Sequence, residues 1–245
     1  MKKSQQITLL INMYLAIATL VIVVIGVVKG AGAGQVGDNM YGLGYFKAFT
    51  VDSNILMGVC ALVYVIYTCK AYQRSKLCER DTHVDRNIRM TQKAAGHGVE
   101  MQMARPIRIF YLVGTVAVQV TFLTVLLFLG PMGARMAGIK GFLSFYTGDM
   151  FFFHLLHPML ALITFFLQQP KCRISKADCL WTILPVFIYS MVYLINVVFL
   201  KTWNDFYGFT FGGRYIVVPF VILIIYSLAY GLGAGISKID AHMRK

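Results

Sequence analysis

Six long apolar runs constrain the fold of this chain more than any other feature of its sequence. The runs cover residues 7–28, 49–69, 107–129, 150–167, 180–200 and 215–235. Each is close to the roughly 20 apolar residues that a helix needs to cross a bilayer. Backbone groups in lipid must be hydrogen-bonded within their own segment, so runs of this length predict helices. The sequence therefore predicts an all-α, polytopic membrane helix bundle of six transmembrane helices, with residues 1–245 forming a single membrane-embedded domain.

The first run resembles a signal peptide, because it follows the basic start "MKK" and precedes the small residues "GAGAG". The apolar core of a signal peptide has only about 7 to 15 residues. Residues 7–28 exceed that length. We therefore expect this run to be retained as the first transmembrane helix.

The distribution of basic residues predicts the orientation of the bundle. Most of the 23 Lys and Arg residues fall in segments that six spans would place on one side of the membrane. Loops rich in Lys and Arg stay in the cytoplasm, so we expect both termini and the loop 70–106 to be cytoplasmic. The net charge of +13 then reflects contact with anionic lipid headgroups, and we expect no nucleic-acid partner.

Two histidines interrupt an apolar stretch, "FFFHLLHP", at residues 151–158. His154 and His157 are three residues apart and share one face of a helix. Pro158 has no N–H to give to the carbonyl of His154, which tends to kink a helix. An ionisable side chain inside a membrane marks a candidate functional site. It can also be a neutral, hydrogen-bonded group that joins two helices.

A second polar cluster begins the second run, in "YFKAFTVDSNILMG". A helical spacing places Thr50, Ser53 and Asn54 on one face. Under the predicted topology the second and fourth helices both enter from the outer side, so this cluster and the two histidines can meet in the outer half of the bundle. The helix either begins near Tyr45 or begins after Asp52, which would then be its N-cap.

The motifs "KAFT" and "HLLHP" resemble those of the androgen-induced and androgen-dependent TFPI-regulating membrane proteins and their bacterial relatives. Hydropathy extends the resemblance over most of the chain, whereas sequence-specific similarity is confined to the two motifs. The bacterial pattern "FT..SN" is reproduced by residues 49–54. In one respect the chain departs from the animal proteins, because Pro158 follows His157 directly.

The resemblance implies a multi-span hydrolase of fatty acid esters of hydroxy fatty acids, located in the plasma membrane of a bacterium. It implies a threonine nucleophile at Thr50, with His157, the second histidine of the motif, as its catalytic partner. It implies a lipid substrate and no cofactor or metal. The oligomeric state is left open.

These roles are chemically coherent with the residues. A neutral imidazole is a suitable base for a threonine hydroxyl, and Ser53 and Asn54 are candidate donors to an oxyanion. His154 is a candidate for orienting the base. Other residues expected near the pocket are Asp149, Tyr193 and Asn196.

Two further classes of function fit the same sequence. The polar residues of the second and fourth helices would line a passage for a small solute, with both histidines as binding groups. They would alternatively serve helix packing in a structural membrane protein. A passage tolerates loss of the Thr50 hydroxyl, whereas a hydrolase does not.

Overall fold

Six long helices account for the fold in the computed structural model, which describes residues 3–32, 42–81, 103–168 and 172–244. The helices are α1 (Lys3–Gly32), α2 (Phe49–Asp81), α3 (Arg105–Tyr146), α4 (Asp149–Leu167), α5 (Asp178–Phe199) and α6 (Tyr215–Met243). All six are long and apolar enough to span a membrane, and the described residues include no strand. The predicted all-α, six-helix membrane bundle is confirmed. The cytoplasmic placement of the termini stays a prediction.

The helices that extend furthest beyond their apolar runs are α2 and α3. α2 continues through Asp81, so the first part of the predicted loop 70–106 is helical. This segment, "KAYQRSKLCERD", contains no Gly or Pro and is rich in residues that favour helices. Residues 82–102 of that loop lie outside the described residues. α3 also continues past residue 129 and bends at Ala137 and Gly138, whose backbone angles are not helical.

α3 is the central helix of the bundle and packs against α2, α4, α5 and α6. Every residue from Tyr111 to Thr121 is buried. The Tyr111 hydroxyl lies 2.7 Å from Asn12 Oδ1 of α1 and 2.8 Å from Thr164 Oγ1 of α4. Helices in lipid gain little from apolar contact alone, so such hydrogen bonds help to hold them in register.

Three helices contain a π-helical turn. These turns are Val125–Leu129 in α3, Phe152–Leu156 in α4 and Ile195–Phe199 in α5. In α4 the backbone N–H of His157 donates to the carbonyl of Phe152, five residues back. The wider turn directly precedes Pro158, where the sequence predicted a kink. π-Helical turns occur frequently at functional sites, because they redirect side chains.

Gly114 of α3 allows close packing against α2. A Cβ atom at this position would lie 2.7 Å from Cys60 Sγ and 3.4 Å from the Met57 backbone. Gly114→Ala is therefore expected to destabilise the bundle by about 1–3 kcal/mol, the usual range for overpacking. Thermal unfolding in detergent would measure this change. Gly231→Ala is the matched control, because a Cβ there meets nothing within 4 Å; equal destabilisation by both variants would contradict the packing account.

Candidate functional site

Thr50 lies in the first turn of α2, which begins at Phe49. The helix thus starts between the two positions that the sequence allowed, and Asp52 is not its N-cap. A short 3-10 helix, Gly42–Lys47, precedes it. The Thr50 side chain is buried, with 7% of the residue exposed.

His154 is the histidine that contacts Thr50. Its Nε2 lies 3.2 Å from Thr50 Oγ1, and its Nδ1 lies 2.6 Å from the backbone carbonyl of Phe145. A carbonyl oxygen can only accept a hydrogen bond, so a neutral His154 carries its proton on Nδ1. Nε2 is then the acceptor, and the Thr50 hydroxyl donates to it. The Phe145 carbonyl thereby orients the ring, as the third group of a catalytic triad does.

His157 contacts Asn54 instead. The amide nitrogen of Asn54 donates to the carbonyls of Thr50 at 2.7 Å and Phe153 at 3.3 Å, which fixes the orientation of the amide. Its Oδ1 accepts from His157 Nδ1 at 3.0 Å. Within the described part of the chain, His157 Nε2 is buried and has no hydrogen-bond partner. His157 therefore holds Asn54, which in turn holds the backbone of Thr50.

The pairing of the two histidines differs from the one expected from the resemblance. A spacing of three puts both histidines on one face but does not determine which of them meets Thr50. The π-helical turn at Phe152–Leu156 adds a residue to the turn that carries His154 and changes its direction relative to a regular helix. In the structure Thr50 contacts His154, and His157 contacts Asn54.

The expected oxyanion donors are already engaged. Ser53 Oγ lies 3.1 Å from the Thr50 carbonyl and 2.9 Å from Thr121 Oγ1. Both hydrogens of the Asn54 amide are directed to backbone carbonyls. The two residues lie beside Thr50, as their spacing predicted, but they stabilise the helix start and do not offer a free donor.

The three expected pocket residues lie in different places. Asp149 accepts a hydrogen bond from the Tyr45 hydroxyl at 3.0 Å and makes no capping bond to its own helix. Tyr193 lines the same cavity as Thr50. Asn196 does not line that cavity; its side chain bonds to Thr202 and to the Val192 carbonyl.

Tyr207, in the segment between α5 and α6, was missed by sequence reasoning. Its hydroxyl accepts a hydrogen bond from the backbone N–H of Phe49 at 3.0 Å, and its side chain lines the cavity beside Thr50. Burial raises the pKa of Tyr207 to about 12. The hydroxyl therefore keeps its proton at neutral pH and can donate a hydrogen bond next to Thr50.

Asp205 holds the loop that carries Tyr207. Its carboxylate accepts hydrogen bonds from the Tyr193 hydroxyl, the Phe209 N–H, the Thr210 N–H and the Thr210 hydroxyl. Partial burial opposes ionisation, but these bonds keep the pKa of Asp205 below its ordinary value. The carboxylate is charged at neutral pH. Asp205, Gly208 and Thr210 in "NDFYGFTFGG" are residue types that favour turns, and they were the available signal.

Removing this anchor should uncouple Tyr207 from Thr50. For the ester hydrolysis that the resemblance implies, we expect Asp205→Ala to reduce turnover at least tenfold, because four hydrogen bonds that fix the loop are lost while Thr50 and His154 are unchanged. Thr210→Ser retains the hydroxyl that donates to Asp205 and should behave as wild type. Initial rates of ester hydrolysis at equal amounts of folded protein measure the effect. Wild-type turnover in Asp205→Ala would contradict this role.

The effect of acid on this loop follows from the lowered pKa of Asp205. The stability that the charged Asp205 carboxylate gives to the loop is fully present above the ordinary carboxyl pKa of about 3.9. It is lost as the pH falls through the lower value of the folded protein. We therefore expect the loop to remain ordered from neutral pH to well below pH 5.

An apolar cavity extends from Thr50 between α2, α3, α5 and α6. It is narrow, with a cavity volume of about 50 Å³. Its lining covers residues 120–129 of α3, 186–198 of α5 and 218–226 of α6, and at 1.5 Å per residue these stretches measure roughly 12 to 18 Å. The lining thus follows these helices over two to three turns, and Thr50, Tyr189 and Tyr207 are among its hydroxyl-bearing residues.

Comparisons of the chain with protein-family models, curated proteins and solved structures find no match. The resemblance to the androgen-induced and androgen-dependent TFPI-regulating membrane proteins thus stays a prediction based on the two motifs.

Proposed function

We propose that this protein is a membrane hydrolase of lipid esters, with Thr50 as its nucleophile and His154 as its general base. The observation that carries the proposal is the 3.2 Å contact of Thr50 Oγ1 with His154 Nε2, in a ring oriented through Nδ1 by the Phe145 carbonyl. A nucleophile next to a base that is itself oriented by a third group is the arrangement that covalent acyl transfer requires.

In the first half of the reaction, Thr50 Oγ1 attacks the carbonyl carbon of the ester and its proton passes to His154 Nε2. The tetrahedral intermediate then collapses, and the bond to the alcohol oxygen breaks. His154 returns the proton to that oxygen, and the alcohol leaves. The acyl group is now esterified to Thr50, and His154 is neutral again.

In the second half, His154 takes a proton from water, and the resulting hydroxide attacks the acyl-threonine carbonyl. The bond to Thr50 Oγ1 breaks, and His154 returns the proton to that oxygen. The products are a free fatty acid and regenerated Thr50. The same nitrogen therefore serves as base and acid in both halves.

The Tyr207 hydroxyl is the best-placed donor for the negative charge that develops on the substrate oxygen. It lines the cavity together with Thr50, and its raised pKa keeps the hydroxyl protonated. Loss of one donor of this kind costs about 3 to 4 kcal/mol in the transition state. His157 and Asn54 act as positioning residues, since they hold the Thr50 backbone.

The shape and polarity of the cavity favour an acyl chain. Its walls are mainly aliphatic and aromatic, and Thr50 lies among them. An apolar lining of this kind favours a flexible acyl chain, with the ester group beside Thr50. The resemblance implies fatty acid esters of hydroxy fatty acids as substrates, and these combine long acyl chains with an ester group.

A second cavity offers a lateral route from the bilayer. It is lined by residues of α2 and α5 together with Phe46 and Trp203, and its volume is about 220 Å³. Phe49 and Tyr189 line both cavities, and their rings lie 5.1 Å apart. Movement of these two side chains would join the lateral cavity to the Thr50 cavity.

The proposal is tested by measuring hydrolysis of a series of esters by the purified protein in detergent. The series combines nitrophenyl esters of increasing acyl length with a fatty acid ester of a hydroxy fatty acid. We expect hydrolysis to rise from acetyl to long acyl chains, because longer chains fill the cavity. Absence of hydrolysis throughout, in protein that melts cooperatively, would contradict a hydrolase and favour the passage or packing functions.

A further inference from the structure

A large basic cavity opens at the opposite end of the bundle from Thr50, where α4 ends, α5 begins and α6 ends. Its volume is about 890 Å³. The cationic side chains that line it are Arg173, Lys176, Lys238 and Arg244. Within the described part of the chain, none of the first three forms an ion pair. This end of the bundle therefore presents several positive charges to one space.

Asp240 supplies the only carboxylate that the described residues contribute to the lining, and two arginines neutralise it. Its Oδ2 lies 2.6 Å from Arg108 Nη2, and its Oδ1 lies 2.6 Å from Arg244 Nη2. Arg108 is fully buried, and its Nε and Nη1 have no partner within the described part of the chain. The Asp240 cluster thus retains a net positive charge and does not oppose an anion.

Gln168 adds an unpaired polar group to the same cavity. The residue is only 2% exposed, and neither side-chain polar atom has a hydrogen-bond partner among the described residues. Its backbone carbonyl accepts from Arg244, which fixes the end of α4. A buried amide without a partner is unfavourable unless a ligand satisfies it. The amide nitrogen is therefore a ready donor to a ligand oxygen.

We propose that this cavity binds a phosphate-bearing anion. Several cations around one space, together with a buried amide donor, suit a group with several acceptor oxygens and more than one negative charge. Two sources offer that chemistry at the end of a membrane bundle: the headgroup of an anionic lipid and a soluble phosphate ester. The site is separate from Thr50, so it does not depend on the proposed hydrolysis.

The proposal is tested with the full chain in detergent by equilibrium binding of fluorescent short-chain phosphatidic acid. The phosphatidylcholine of equal chain length is the lipid control, and glycerol 3-phosphate is the soluble competitor. We expect the double variant Arg173→Gln/Lys238→Gln to bind phosphatidic acid roughly 20-fold more weakly than wild type. Lys201→Gln/Arg214→Gln removes equal charge at the other end and should bind as wild type. Gln168→Leu, which keeps every charge, should also weaken binding.

The outcomes separate the two sources. Strong preference for phosphatidic acid with no displacement by glycerol 3-phosphate supports a lipid headgroup, whereas displacement at equal concentration supports a soluble ester. Equal affinity for both lipids would overturn the proposal. So would wild-type affinity in both the double variant and Gln168→Leu. Thermal unfolding of each variant ensures that folded protein is compared.

Discussion

Replacing Thr50 with valine should reduce ester hydrolysis by roughly 1000-fold or more, because the substitution removes the attacking oxygen and nothing else of similar size. Loss of a covalent nucleophile abolishes the acyl-enzyme route. Water must then attack the bound ester directly, with help only from substrate binding and the remaining hydrogen-bond donors. Valine keeps the branched shape, so the apolar contacts of Thr50 are retained. Initial rates with a long-chain ester, compared at equal amounts of folded protein, measure the loss.

Thr124→Val is the matched control for this prediction. Thr124 lines the same cavity, and none of the hydrogen bonds described above involves it. Its replacement should leave turnover within a few-fold of wild type. Wild-type hydrolysis by Thr50→Val would exclude Thr50 as the nucleophile. If Thr50→Val instead only lowered stability, in a protein without esterase activity, the packing function would be favoured.

His154→Gln is expected to reduce hydrolysis by about 10²- to 10⁴-fold, the usual contribution of a general base. Glutamine is similar in size and keeps hydrogen-bonding groups, but it cannot take the Thr50 proton. Binding of a long-chain product, such as a free fatty acid, should be little affected. The expected result is therefore a loss confined to the chemical step.

His157→Gln distinguishes the role of His157 from that of His154. Glutamine can still donate to Asn54 Oδ1, so the Thr50 backbone stays in place and turnover should fall less than tenfold. His157 is also buried with an unpaired Nε2, and its replacement is not expected to destabilise the fold severely. A larger loss of turnover in His157→Gln than in His154→Gln would contradict the assignment of the base and restore the pairing that the resemblance implied.

The fold could be predicted from hydropathy because the membrane leaves few alternatives. Long apolar runs in lipid must be helical, and each of the six runs corresponds to one of the six helices in the structure. The polar loop 70–106 is expected to be partly helical, but the continuation of α2 to Asp81 could not be placed, because a polar helix has no apolar run to mark its end. The extension of α3 was obscured by Gly130 and Pro131, which usually end a helix.

The residues that form the candidate site could be predicted from the sequence, but their pairing could not. The spacings brought Thr50, Asn54 and both histidines together correctly, since each pair lies on one helical face. The choice of His154 depends on a π-helical turn, and the Phe145 carbonyl is a backbone atom that carries no signature in the sequence. Tyr207 was missed because aromatic residues between spans usually mark the membrane interface, and only the tertiary contact with Phe49 sets it apart.

The most direct test of Thr50 as a nucleophile activated by His154 is peptide mapping of the protein after reaction with a fluorophosphonate. The reagent phosphonylates an activated hydroxyl, and mass spectrometry of the digested chain locates the adduct. The account predicts an adduct on Thr50 in wild type and none on Thr50 in His154→Gln. An adduct on another residue, or on Thr50 to the same extent in both proteins, would contradict it.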